Sequence, residues 1–371
     1  MNLQIAIIIS MFGLCVTMPI FVRYFAYTNL PYWGKMLGLI LCLIVAILPI
    51  FASRHWSDSY GKYFIFVETT LYFIYIFAVI LFALTFLRDI IWIFLHFLKI
   101  VPSPFNSAFF TKANIITAFL VFACTIWSLY EGMRVPSEKH LTISNPKIQQ
   151  EKSVVVLSDL HISRTLNPAK IKAIVDKTNA LKPDLILLAG DTVDDDVDKI
   201  KNTLNLLSHL KAKEGVYFVS GNHEFYVGYQ SAMRAMEDIG LTSIENKKTL
   251  ISPNFYLAGI SDIPTTKRFK SLSKEKEIMS DIPQSAYVLF VSHSPILLDL
   301  PFDLQVSGHT HGGQIFPFHF FSWLGNNKLL AGLYPDKHLY ISRGSGQWGP
   351  QMRFLAPAEI TVLHLKSEKQ K

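Results

Sequence analysis

The chain has 371 residues, half of them apolar, with 28 Phe and a formal net charge of +7, and its mean hydropathy is +0.30. Those values exclude a single water-soluble globule. Residues 1–150 carry 10 Lys+Arg against 5 Asp+Glu, whereas residues 151–371 carry 25 against 23, so the excess positive charge belongs to the apolar half. It reads as membrane-flanking charge and requires no nucleic-acid partner. Cys15, Cys42 and Cys124 all lie in apolar runs, which excludes disulfides and thiolate chemistry from the C-terminal half.

Four runs are long enough to cross about 30 Å of hydrocarbon as helices, at about 4–27, 34–53, 63–87 and 113–130. The first lacks a basic start and a small-residue cleavage site, so it is expected to remain as an anchor. The shorter "IIWIFLHFLKIV", 90–101, carries Trp92, His96 and Lys99 and suits an interfacial helix or half-inserted hairpin. Residues 1–132 are thus expected to form a transmembrane helical domain, followed by a linker at 133–151. With four spans, Arg54, Lys62, Arg134, Lys139 and Lys147 share a side with the C-terminal half. Arg23, Arg88, Lys99 and Lys112 fall on the other side. The small difference favours a cytoplasmic C-terminal domain.

From residue 152 the pattern becomes that of an α/β domain, expected to run to 366. "SVVVLSDLH", "PDLILLAGD" and "GVYFVSGNHE" are apolar strands ending in polar residues, separated by segments with helical spacing. Asn167 and Pro168 supply the start of the first helix. Five further strand-like runs follow. The expected architecture is two sheets packed face to face with helices outside, the second sheet more antiparallel than the first.

Each strand run stops at a potential metal ligand: Asp159 and His161, then Asp191, Asn222, His293, and finally His309 and His311. Open α/β sheets place their sites beyond the carboxyl ends of strands. A lone Asp there is usually a helix cap, and a lone His a hydrogen-bonded surface or core residue. Seven in succession point to a metal site. The donors are oxygen and imidazole nitrogen without sulfur, which suits Mn²⁺, with Fe²⁺ or Zn²⁺ as alternatives. Residues i and i+2 of a strand face one way. On that basis Asp159 and His161 reach one ion together, and His309 and His311 point into one cavity.

The blocks "SDLH", "GD", "GNHE", "SHSP" and "GHTHGG" resemble the ordered motifs of the calcineurin-like metallophosphoesterases over 152–366. The resemblance implies an α/β metallophosphoesterase sandwich and a two-metal centre. One ion would be held by Asp159, His161, Asp191 and His311, and the other by Asp191, Asn222, His293 and His309. His223 would be the catalytic residue, stabilising the transition state or protonating the leaving oxygen, with a nearby carboxylate to orient it. Asp159 is the nearest such carboxylate in sequence. Glu224 reads as structural, because a carboxylate facing a phosphate would repel it. "DDDVD", 194–198, reads as the solvated first turn of a helix. Arg343 and Arg353 are candidates for binding substrate phosphate, or else ordinary surface arginines.

Four spans joined to such a domain favour a lipid substrate. The layout is similar to the membrane-bound UDP-2,3-diacylglucosamine pyrophosphatase group. That likeness implies a multi-pass protein of a bacterial inner membrane. It would hydrolyse a lipid-linked nucleotide to UMP and 2,3-diacylglucosamine 1-phosphate in lipid A biosynthesis. Another membrane phosphodiesterase or phosphatase is the alternative, and a non-catalytic tethered module a third. Membrane lipids are the expected partners, and no protein partner is required. The polar, basic stretch 256–285 reads as a solvated loop and helix or as a lid.

Overall fold

The computed structural model describes residues 3–53, 61–103, 107–263 and 275–368. The chain forms two compact units: Met1–Tyr130 with Gly349–Phe354, and Glu131–Trp348 with Leu355–Lys371.

The first unit is helical: α1 (Leu3–Phe21), α2 (Tyr32–Ser53), α3 (Gly61–Phe97) and α4 (Ser107–Met133). All four are long and apolar enough to cross a membrane, judged by length and composition. The interfacial helix expected at 90–101 is not separate. α3 runs unbroken to Phe97, because nothing between Leu87 and Trp92 breaks a helix: Arg88 and Asp89 are good enough helix residues and find partners. Arg23 lies in a π-helical turn, Val22–Ala26, that continues α1. It pairs with Asp89 at 2.5 Å, Arg88 pairs with Asp89 at 2.8 Å, and Arg88 also donates to Asn114 and Thr117 of α4. Ionised groups in apolar surroundings survive when paired in this way. Arg54, one of the charges expected on the side of the C-terminal half, lies outside the described residues, as does 264–274 of the basic stretch.

The second unit holds two six-stranded sheets. The strands of the first are β1 (Ser137–Asn145), β2 (Lys152–Leu157), β3 (Leu185–Ala189), β4 (Val216–Val219), β5 (Thr242–Ser243) and β12 (Glu359–Ser367). Their order is β1-β12-β2-β3-β4-β5, with β2 to β5 parallel. The second sheet comprises β6 (Lys247–Ser252), β7 (Phe255–Gly259), β8 (Tyr287–Val291), β9 (Leu304–Ser307), β10 (Gly332–Tyr334) and β11 (Leu339–Ile341). It is more antiparallel than the first, but only at its two edges; β7, β8, β9 and β11 run parallel. The short helix α9 (Glu275–Met279) packs Ile278 and Met279 with Val288 and Phe290 of β8.

Val154, Val156, Leu185, Leu187 and Val219 of the first sheet pack on Leu257, Leu289, Val291 and Val306 of the second. The opposite face of the first sheet is covered by α5 (Pro168–Ala180), α6 (Val197–Leu204) and α8 (Tyr229–Asp238) through Ile171, Ile174, Ile200 and Met236. The segment expected as a linker is a structural strand. β1 pairs in parallel with β12 from Ser137 to Asn145, and its side chains alternate between exposed and half-buried. That alternation suits an edge strand with one solvated face.

Candidate metal centre

β2, β3, β8 and β9 end side by side, and the loops that leave them stay hydrogen-bonded to one another. Asp159 N–H donates to Gly190 O at 3.1 Å, His161 N–H to Asp191 O at 3.0 Å, and Gly308 N–H to His293 O at 2.9 Å. Five of the predicted ligands then turn the chain through the left-handed region: Asp159 (φ 54°), His161 (φ 48°), Asp191 (φ 51°), His309 (φ 71°) and His311 (φ 51°). A non-glycine residue pays for that conformation, so its clustering here marks a functional site. Asp159 and His161 do fall in one group, as expected, but strand alternation is not the cause. β2 ends at Leu157 and β9 at Ser307, so these residues converge through left-handed turns and not through a strand's period of two. His309 and His311 accordingly point into different clusters.

The first cluster is Asp159, His161 and His311. His161 Nε2 and His311 Nε2 face each other at 3.0 Å, and His311 Nε2 lies 3.5 Å from Asp159 Oδ1. The second is Asp191, His293 and His309. His293 Nε2 is 3.1 Å from Asp191 Oδ2 and 3.3 Å from His309 Nδ1. Asp191 also lies 3.7 Å from His161 Nε2, which sets it between the two clusters. Asn222 opens the short helix α7 (Asn222–Val227), and its side-chain oxygen is buried without a hydrogen-bond partner.

The backbone leaves no spare room. Gly221 presses against the Asp191 carboxylate and Gly190, at φ 84°, against the His293 ring, so a side chain at either would displace a predicted ligand. The imidazoles are oriented from behind. His293 Nδ1–H donates to Ala189 O at 2.8 Å and His161 Nδ1–H to Asp194 Oδ2 at 3.2 Å, which leaves each Nε2 lone pair facing inward. Burial and the neighbouring His293 both disfavour a proton on His309, whose pKa is lowered.

A divalent cation fits this donor set. Asp159 and Asp191 are both almost wholly buried, and buried carboxylates are costly without compensating charge. The orphaned Asn222 oxygen and the facing nitrogens of His161 and His311 are what a shared cation would satisfy.

His223 stands beside this array, in a third His–Asp group with His161 and Asp194 that shares His161 with the first cluster. Its partner is not Asp159. Its Nδ1–H donates to Asp194 Oδ1 at 2.5 Å. Burial opposes its charge, but Asp191 and Asp194 outweigh that and raise its pKa to about 9. Burial likewise opposes ionisation of Asp194, and His223 and His161 overcome it, holding that carboxyl well below its usual range. Asp194 is the residue that sequence reasoning missed, because it sits in an acidic run that looked like a solvated helix start. Only Asp196 is the helix cap, accepting from Asp198 N–H at 3.1 Å. Asp195 accepts from Arg164 at 2.7 Å. Tyr226 and Trp348 flank the His223 ring, with centroids 5.3 and 5.9 Å away.

Glu224 is fully buried and accepts four backbone N–H groups, from Asp191, Thr192, Val193 and Gly221, which matches its expected structural role. Arg343 packs its aliphatic stem over Gly312, beside His311, and Nη1 donates to Glu359 at 3.2 Å. Arg353 is wholly buried. It is therefore neither the exposed arginine expected as one alternative nor open to substrate in this conformation.

Comparison with known proteins agrees with this geometry. The model of the calcineurin-like phosphoesterase family matches residues 152–313. An uncharacterized metallophosphoesterase of Campylobacter jejuni is 32% identical over 267 residues, 69% of each chain. A second, from Helicobacter pylori, is 34% identical over 256 residues, 65% of this chain and 67% of the relative. A transmembrane protein with metallophosphoesterase domain from Danio rerio is 28% identical over 275 residues, 68% of this chain and 62% of that one.

Proposed function

Since this chain belongs to the calcineurin-like phosphoesterase family, we propose that it is a dinuclear metal-dependent hydrolase of a membrane-lipid phosphoester, with UDP-2,3-diacylglucosamine as its substrate. The observation that carries the metal reading is the pair of neighbouring clusters, with Asp191 of the second 3.7 Å from His161 of the first. What supports a lipid is the presence, in the same chain, of four helices able to cross a membrane. A headgroup phosphate lies at the interface while its acyl chains stay in the bilayer.

Asp159, His161, Asp191 and His311 would hold one ion, and Asp191, Asn222, His293 and His309 the other, with Mn²⁺ the best match to donors of this hardness. Two such ions neutralise phosphate oxygens and acidify water. The chain's own residues do the rest. Protonated His223, held by Asp194, places an acidic N–H beside the clusters, where it can protonate the departing oxygen. Glu224 holds the Asp191 loop through its backbone. Arg343 offers a guanidinium beside the His311 turn, and Arg353 would need a local rearrangement to reach phosphate. The reaction gives UMP and a lipid 1-phosphate. The protein would lie in a bacterial inner membrane with this domain in the cytoplasm, where the nucleotide is made.

A second reading rests on the Danio rerio relative. Lipid A precursors are bacterial, so a relative in a fish favours a broader lipid phosphodiesterase activity. One experiment separates them. Full-length protein in detergent with Mn²⁺ is given UDP-2,3-diacylglucosamine or a glycerophospholipid diester. UMP release supports the first reading; turnover of the diester alone sinks it. Turnover of neither by a metal-loaded protein sinks the lipid reading.

A further inference from the structure

The His309–Gly313 turn leads directly into α10 (Phe318–Gly325, "FHFFSWLG"), a helix none of whose residues is fully buried. Phe320, Phe321 and Leu324 are 57%, 54% and 50% exposed. Leu355, which bridges to Ile315 at the start of the same segment, is 67% exposed. Large side chains exposed together mark an interaction face, whereas scattered ones do not.

This face is mechanically part of the metal centre's turn. Ser322 Oγ donates to Thr310 O at 3.2 Å and Phe318 N–H to Ile315 O at 2.8 Å. Gly313, at φ 80°, presses against the His319 backbone so closely that no Cβ would fit. α10 is therefore coupled to the turn that carries His309 and His311.

What covers the face is indicated by the rest of the chain. α4 ends at Met133 and β1 begins at Ser137, so this domain is tethered within three residues of a helix able to cross a membrane. The face combines Phe and Leu with Trp323 and one lysine, Lys328, whose Nζ lies 5.9 Å over the Trp323 ring. Aromatic groups and lysine together are the signature of the bilayer interface, where rings sit at headgroup level and cations meet anionic lipid.

We propose that α10 is an interfacial docking element. Its Phe320–Phe321–Leu324 face, extended by Leu355, enters the headgroup–acyl boundary and holds the His309–His311 turn at the level of lipid phosphates. The proposal deepens the lipid reading above and rests on it for its purpose, but its measurement does not involve turnover.

The test uses the full-length protein in lipid nanodiscs containing phosphatidylglycerol, with Cys15, Cys42 and Cys124 replaced by alanine. A nitroxide is attached at Phe321→Cys, and at Lys211→Cys as a surface reference. Oxygen and a water-soluble nickel chelate compete to relax each label. At 321 the label should favour oxygen and report a depth of roughly 5–10 Å below the headgroup boundary, while the label at 211 should favour the chelate. Equal chelate access at both sites overturns the proposal. So does a label at 321 shielded from both agents, which would mean that protein covers the face. If Phe321→Cys fails to fold, Leu324→Cys carries the same measurement. An immersed label in a protein that turns over no lipid would keep the docking element and sink only the lipid-substrate reading.

Discussion

The two candidate metal clusters have similar side chains but different backing. His161 of the first leans on the Asp194 carboxylate, which also holds His223. His293 of the second leans on a main-chain carbonyl, Ala189 O, and its neighbour Asn222 is delivered by the first turn of a helix. The first cluster is therefore wired by charge to the His223 imidazole. In the second, the His293 ring is held by the main chain, while the Glu224 and Asp159 carboxylates brace the backbone of Asp191 and His309. A carboxylate can be changed by one substitution while a main-chain carbonyl cannot, so mutation should reach the two clusters unequally.

The most damaging change should be Asp191→Ala, which removes the residue set between both clusters. Metal content measured by mass spectrometry should collapse, and phosphodiesterase activity with it. Metal retained at the wild-type level would break the assignment. His223→Asn should lower kcat by about 10²–10⁴-fold, the usual worth of a positioned acid, with metal content unchanged. Loss of metal in that variant would place His223 among the ligands instead.

Asp194→Asn sharpens the contrast. It should weaken metal binding at the first cluster by about 10–100-fold, as loss of a carboxylate behind a ligating histidine does, and leave the second intact. Equal weakening of both in a titration would erase the distinction drawn here. Glu224→Gln acts on backbone support. It puts an amide where a carboxylate accepts four N–H groups, and should destabilise the C-terminal domain by about 2 kcal/mol or more, read as a lower thermal midpoint. Smallest should be Arg343→Ala, whose guanidinium is already shared with Glu359. It should raise KM severalfold, and an unchanged KM would remove Arg343 from substrate binding.

Much of this was legible in the sequence because metal ligands at strand ends leave a one-dimensional trace: an apolar run, then Asp or His, repeated. The positions of Asp159, Asp191 and His293 could be read in that way. The pairing of partners could not, because it depends on left-handed turns, and φ is not written in residue type when the residue is Asp or His. Asp194 was hidden for a different reason. Three consecutive aspartates look alike in sequence, yet one caps a helix, one binds Arg164 and one holds two histidines. β1 was missed because an edge strand needs only one apolar face, and "SEKHLTISN" has too few apolar residues to stand out. Arg88 and Asp89 looked like a break in the third apolar run, since nothing local announces partners on two other helices.

The position of β12 has a bearing on biosynthesis. It lies between β1 and β2, pairing with β1 from Glu359 to Ser367 and with β2 from Thr361 to Leu365, so an inner strand of the first sheet is made after all its other strands. β1 and β2 are made more than two hundred residues earlier and must wait, with facing hydrogen-bonding edges unpaired, until β12 has been made. Long-range pairing of this kind is slow and exposes the waiting edges to wrong partners. A nascent chain stalled before residue 359 would already contain every predicted metal ligand and still lack the strand that joins the first β-segment to the rest of its sheet.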